Sequence, residues 1–289
     1  MRVARTSMVL VAALLTAGAT AGVPGGVEGL GSNLEKLKGI SGRISPAEER
    51  AMGREAAATL LGASPVLVDD EVQRYVNRIG LWVALQSERP NLAWRFAVLD
   101  DEDVNAFAAP GGFVFVTKGL LLSLNSEAEL AGALGHEVAH VVRKHHLKAL
   151  TKDKRIEALS GAALDGLAKD DPKRQERVAK LVQGVKTLYA RGLDKQDEFN
   201  ADRVGLIYAA RAGYDPSGIV GVLQKLDAQD PKNSRMALLL KTHPTPSDRL
   251  AALDEVFGTG KLDALSGPEG RDRYRKALGS LLGTGVIRG

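Results

Sequence analysis

The stretch Ser126-Glu127-Ala128-Glu129-Leu130-Ala131-Gly132-Ala133-Leu134-Gly135-His136-Glu137-Val138-Ala139-His140-Val141-Val142-Arg143 decides how this chain is read. Ser126 followed three residues later by Glu129 is a capping box, which opens a helix by satisfying backbone N–H groups that have no partner inside it. Leu130, Leu134, Val138, Val141 and Val142 then recur at the helical period, so a helix is predicted from Glu127 to about Arg143. His136 and His140 are four apart and project from one face about one turn from each other, the spacing at which two imidazoles bind a single Zn²⁺. Glu137 cannot reach the same coordination position, but it can take the proton from a metal-bound water as that water attacks a peptide carbonyl.

Catalytic zinc keeps three protein ligands and an open position for water, so a third ligand is needed. The chain has five His and no Cys, which leaves the carboxylates. Glu198 is the candidate: in Glu198-Phe199-Asn200-Ala201-Asp202 two carboxylates stand four apart on a predicted helix, so Glu198 can bind the metal while Asp202 hydrogen-bonds a ligand imidazole. Alone, the charge-rich run from Lys195 to Arg203 reads as a solvated helix face; the histidine pair tips it toward the metal. His145 and His146, five and six residues beyond His140, are expected to leave its face. With Arg143, Lys144 and Lys148 they read as a basic, solvated helix end and are not assigned to the metal.

The rest of the chain supplies a scaffold. Its 289 residues are 44% hydrophobic, ample for a real core. The 39 basic and 35 acidic residues are interspersed and only 4% are aromatic, so neither a nucleic-acid footprint nor a membrane-binding face is read. Arg2 and Arg5 precede an apolar stretch from Met8 to about Ala17 and small residues in an A-x-A pattern, which reads as a secretory signal over 1–21. Ala17-Gly18-Ala19 and Ala19-Thr20-Ala21 both suit its cleavage, and without Cys no lipid anchor is expected. The stretch is shorter than a membrane span, and no later segment is long enough, so no span is expected in the mature chain.

Residues 22–44 read as a Gly-rich linker, 45–282 as one folded domain, and 283–289 as a tail. Ser45-Pro46-Ala47-Glu48 opens a helix to about Leu61, and Asp69 and Asp70 open another carrying Val72, Tyr75, Val76, Ile79 and Val83. Trp94 to Leu99 and Phe113 to Thr117 read as strands near a sheet edge, set off by Pro110-Gly111-Gly112. Further helices are predicted at 153–168, 173–190, 196–212, 216–228 and 246–257, with a last one between Asp272 and Leu282 docking back on the domain.

With these elements in order, the chain resembles the zinc metallopeptidases that include HtpX and the CAAX prenyl proteases, of gluzincin type. The resemblance is carried by His136-Glu137-Val138-Ala139-His140, by Glu198 with Asp202, by Asn105-Ala106-Phe107-Ala108-Ala109-Pro110-Gly111-Gly112, and by His243-Pro244 with Arg249. It implies an α+β, mainly helical zincin-like fold with a small sheet whose edge strand flanks the active-site helix. It also implies one Zn²⁺ per chain on His136, His140 and Glu198, with Glu137 as base and Asp202 as support. The strand after Gly112 would lie along the cleft, with Asn105, Ala106, Phe107, Gly111 and Gly112 meeting the substrate. His243 would stabilise the oxyanion or, as a fourth ligand, displace the catalytic water; its plain alternative is a cap for the helix near Pro246. Arg249 would orient that loop or aid the oxyanion.

The implied activity is an exported, periplasmic or otherwise extracytoplasmic, endopeptidase acting on unfolded or misassembled envelope proteins. Its partners would be protein or peptide substrates and components of envelope or outer-membrane assembly. The competing reading is a chaperone-like client-binding protein on the same fold, with gated or weak proteolysis; intact Glu137 weighs against it. A structural zinc site would favour Cys, of which there is none.

Overall fold

The computed structural model describes residues 45–152, 187, 191–230, 233–259 and 267–283. The signal and linker expected over 1–44, the helix expected at 153–168, all but residue 187 of the helix expected at 173–190, and nearly all of the tail lie outside the described residues.

Pro46 occupies the first position of α1 (Pro46–Ala63), and α2 follows at Asp70–Ala84. Asp69 caps α2 by accepting from the N–H groups of Glu71 and Val72, and one stripe of the helix, Val72, Tyr75, Val76, Ile79 and Val83, is buried. Three strands come next: β1 (Arg95–Leu99), β2 (Ala106–Ala109) and β3 (Phe113–Thr117). They form a sheet in the order β1-β3-β2, with β1 parallel and β2 antiparallel to β3. The turn joining β2 to β3 needs the left-handed region at Gly111 (φ +78°) and Gly112 (φ +97°), which a side chain would strain. Two elements of the expected picture change here. The strand after Gly112 is central, and Ala106–Ala109, not read as a strand, forms an edge of the sheet; its short run of small residues carries no alternating pattern.

A short α3 (Lys118–Ser123) leads into α4 (Glu127–Val142), from which every residue between Glu127 and Val141 is buried. A helix apolar nearly all round belongs in the middle of a domain, and α4 is enclosed by α2, β2, α6 (Lys195–Arg211) and α7 (Gly218–Asp227). Its capping box forms with a shift: Ser126 accepts from the Glu129 N–H, while Glu129 reaches back to the N–H of Asn125 rather than Ser126. Small residues set the crossings of α4. A Cβ on Gly132 would meet Ile219 N at 2.7 Å, and one on Gly135 would meet Gly205 O at 2.5 Å, so α6 and α7 approach α4 backbone to backbone.

After α5 (His145–Lys152), α6 and α7, a single 3₁₀ turn at Ser234–Met236 leads into α8 (Ala237–Thr242) and α9 (Pro246–Phe257). The expected last helix is two short ones, α10 (Arg271–Ala277) and α11 (Gly279–Gly283), and this segment does dock back. Ala128 N–H donates to Glu269 O, Arg273 pairs with the buried carboxylate of Glu127, and the Tyr274 hydroxyl donates to Leu121 O. The C-terminal segment thus pins the N-terminal end of α4.

Candidate active site

The crossing of α4 and α6 builds the site. Because neither Gly135 nor Gly205 has a side chain, the turn of α4 that begins at His136 lies directly on the turn of α6 between Glu198 and Asp202. His136 Nε2 and His140 Nε2 face each other at 2.9 Å, and Glu198 faces both, 3.6 Å from the first and 3.5 Å from the second. All three side chains, and Glu137 between the histidines, are buried. The C-terminal end of α8 delivers His243, half-buried, whose Nδ1 is 2.6 Å from Glu198 Oε2.

The outer face of His136 is held by charge. Its Nδ1 is 2.8 Å from Asp202 Oδ1, and Asp202 is gripped by Arg249, whose Nε and Nη2 donate to the two carboxylate oxygens at 2.8 and 2.6 Å. Burial opposes the Asp202 charge, but the Arg249 guanidinium outweighs it and holds the carboxyl down at about 2. For His136, burial and Arg249 resist protonation, yet Asp202 and Glu198 prevail and raise it to about 9. Burial keeps His140 neutral and pushes the Glu137 carboxyl up. Glu198 stays ionised despite its burial because His243 and His140 hold it well below the usual carboxylate range.

This arrangement is built for a cation. Glu198 Oε1 is buried with no hydrogen-bond donor, a state that costs a polar group about 1–3 kcal/mol unless something satisfies it. Two imidazole nitrogens turned toward each other beside it complete a set of three donors that a divalent ion would accept, and such an ion would satisfy the carboxylate oxygen. Imidazole and carboxylate suit zinc, and no thiolate is present to make a closed structural site. Ligand atoms of His136, Glu198 and His243 also lie within 4.8 Å of one another, so His243 is within reach of the same ion.

An open cleft of about 370 Å³ passes the site, lined by Asn105, Ala106, Phe107, Glu137, His140 and His243 among others. A second hollow of about 420 Å³ adjoins Glu137 on its other side and is walled by aliphatic side chains of α3, α4, α7 and α8, including Leu120, Val222, Leu226 and Leu239. Asn105 is buried, and its Nδ2 has no acceptor.

Of the residues singled out from the sequence, His136, Glu137, His140, Glu198, Asp202, His243, Arg249, Asn105, Ala106 and Phe107 come together here. Gly111 and Gly112 do not: they lie in the buried β2–β3 turn, against Arg50 of α1 and Leu92. His243 does not cap α9; Thr245 does, accepting from the Asp248 N–H. The largest correction concerns His145. It is buried rather than solvated, with Nδ1 3.0 Å from His140 Nδ1, because the chain kinks at Lys144 (φ +59°) instead of continuing α4. A positive φ at a lysine carries no mark in the sequence. Nor does α8, too short for its periodicity to be read, although it carries His243 into place.

The model of peptidase family M48 matches residues 70–256. The chain is 30% identical over 214 residues to the beta-barrel assembly-enhancing protease of Escherichia coli (strain K12), an alignment covering 72% of this chain and 43% of that protein. It is also 30% identical over 232 residues to the mitochondrial metalloendopeptidase OMA1 of Arabidopsis thaliana, covering 79% and 45%. The chain spans less than half the length of either of these relatives.

Proposed function

This chain belongs to peptidase family M48, and on that premise we propose that it is an exported zinc metalloendopeptidase that hydrolyses peptide bonds of unfolded or misassembled envelope proteins. The observation that carries the reading is the position of Glu137: its buried side chain, on the same turn of α4 as the two histidines, lines both the cleft and the apolar hollow. His136, His140 and Glu198 would hold a zinc ion, which would supply Lewis-acid chemistry to a water and to the scissile carbonyl. Glu137, its carboxyl raised by burial, is the group that would take a proton from the attacking water and return it to the leaving amine. Asp202 and Arg249 act through His136 rather than on the substrate, since two nitrogens of the Arg249 fork are already spent on Asp202.

Substrate enters as an extended strand. The cleft that Ala106 and Phe107 of β2 line runs past Glu137, and the side chains of an extended peptide lying in it would find the cleft and the aliphatic hollow. Asn105 Nδ2, buried and lacking an acceptor, is placed to donate to a substrate carbonyl. An unfolded chain presents extended segments with accessible aliphatic side chains far more often than a folded one, which favours unfolded clients. The envelope setting rests on the signal-like start of the sequence and on the name of the bacterial relative; among the described residues no helix is long and apolar enough to cross a membrane.

Purified chain is expected to hold about one zinc and to degrade unfolded casein, while Glu137→Gln keeps the metal and loses at least about 10²-fold in rate. Equal rates for the two proteins would defeat the reading, and client binding without cleavage by either would favour a client-holding protein. The 2.6 Å contact between His243 and Glu198 supports a restraining role for His243. On that reading His243→Ala raises the rate, whereas a fall in rate assigns His243 to the oxyanion.

A further inference from the structure

The two histidines of the pentapeptide are backed by different chemistry. Behind His136 stands a carboxylate, Asp202, at 2.8 Å. Behind His140 stands another imidazole, His145, Nδ1 to Nδ1 at 3.0 Å, and His145 Nε2 is in turn 3.4 Å from Asp197 Oδ1. We propose that His145, oriented by Asp197, is a positioning residue for His140 that fixes which of its nitrogens faces the metal; this rests on His136, His140 and Glu198 being the ligands.

The direction of the shared proton follows from what each group is able to do. One proton fits between two nitrogens 3.0 Å apart, so one ring donates and the other accepts. If His145 donated, its Nε2 would present a lone pair to Asp197, an acceptor-only group, and His140 would carry its proton on Nε2, pointing at His136. If His140 donates instead, its Nε2 lone pair is free beside His136 and Glu198, and His145 carries its own proton on Nε2, facing the Asp197 carboxylate. Both contacts of His145 are then complementary, and the His140 Nε2 lone pair is left for a cation. The Asp197 carboxylate therefore sets the tautomer of His145, which sets that of His140, the kind of outer support on which ligand orientation depends.

The backbone supplies an independent reason. In a continuous helix a residue five positions on points about 140° away from the first, so His145 would miss His140. The left-handed Lys144 ends α4, starts α5 at His145, and turns that ring back over His140, where it is buried. An unfavourable conformation at a residue with a bulky side chain is a feature that a fold keeps when the geometry it creates is used.

The test measures zinc affinity by competition with a chelator, together with the visible spectrum of the cobalt-substituted protein. His145→Phe keeps the ring shape and removes the acceptor, and it should weaken zinc binding about 10–100-fold and alter the cobalt bands. His145→Asn places an oxygen where Nδ1 was and should restore affinity to within about threefold of the parent, which loss of packing alone would not do. Asp197→Ala, on a partly exposed side chain, should fall between the two and serves where the Phe variant does not fold. Zinc retained by His140→Ala would overturn the ligand assignment and this inference with it. Zinc lost from His140→Ala but bound at parental affinity by His145→Phe and Asp197→Ala would overturn this inference alone.

Discussion

Helices α4 and α6 meet at two glycines and contribute to one site, but they are held in place by different forces. α4 is buried over almost its whole length, and its aliphatic residues pack into the core while His136, Glu137 and His140 are carried on the same buried helix. α6 begins in charge: Lys195, Asp197, Glu198, Asp202 and Arg203 fall within its first nine residues. Two of these, Glu198 and Asp202, point inward and are 0% and 1% exposed, while Lys195 and Arg203 pair outward with Asp248 and Glu255 of α9. One helix brings chemistry into the core on a hydrophobic carrier. The other brings in bare carboxylates, each tolerated only because an imidazole or a guanidinium meets it.

The contrast predicts that a charge on α6 matters according to the side it faces, and the strongest test is Glu198→Ala. If the run from Lys195 to Arg203 were a solvated face, the change would be silent. With Glu198 at 0% exposure beside both histidines, bound zinc should instead fall from about one per chain to background, and hydrolysis with it. Metal analysis after gel filtration reads the outcome directly. Retention of zinc with a folded chain would return Glu198 to the scaffold.

The same contrast explains what could be read in advance. The capping box and apolar period of α4 report packing, a force that leaves a pattern in sequence, and the His-Glu-x-x-His spacing reports a shared helix face. The sides of α6 were harder, because Glu198 and Lys195 are both charged, and only the tertiary partner decides which is buried. His145 was harder still: its place depends on the left-handed backbone of Lys144, a single dihedral that the residue type disfavours. Likewise β2 has the composition Ala-Phe-Ala-Ala, and its strand conformation comes from β3 beside it rather than from its own propensity.

A smaller effect is expected where the two helices touch. In Gly205→Ala the new methyl would lie 2.5 Å from Gly135 C and His136 N, atoms of backbone that cannot swing aside. Overpacking of this kind costs about 1–3 kcal/mol, or roughly 3–10 °C in melting temperature. Because the collision is with the His136 peptide, zinc affinity should fall along with stability. A variant that melts like the parent would show that the crossing has slack and that glycine there does not set the site.

The smallest effect should come from the outer side of α6. Lys195 Nζ is 3.5 Å from Asp248, but the two side chains are 69% and 49% exposed, so water screens the pair and both side chains lose freedom in making it. Lys195→Ala should therefore shift stability by less than about 1 kcal/mol and leave zinc content and turnover unchanged. Three residues along the same helix, Glu198→Ala is expected to empty the site. Thermal melts with and without added salt separate the cases: the parent and Lys195→Ala should converge as salt rises, because the interaction that distinguishes them is one that ions screen. A Lys195→Ala variant that lost zinc would mean that the outer pair fixes the pitch of α6 against α9, and that the two faces of the helix are not energetically separate.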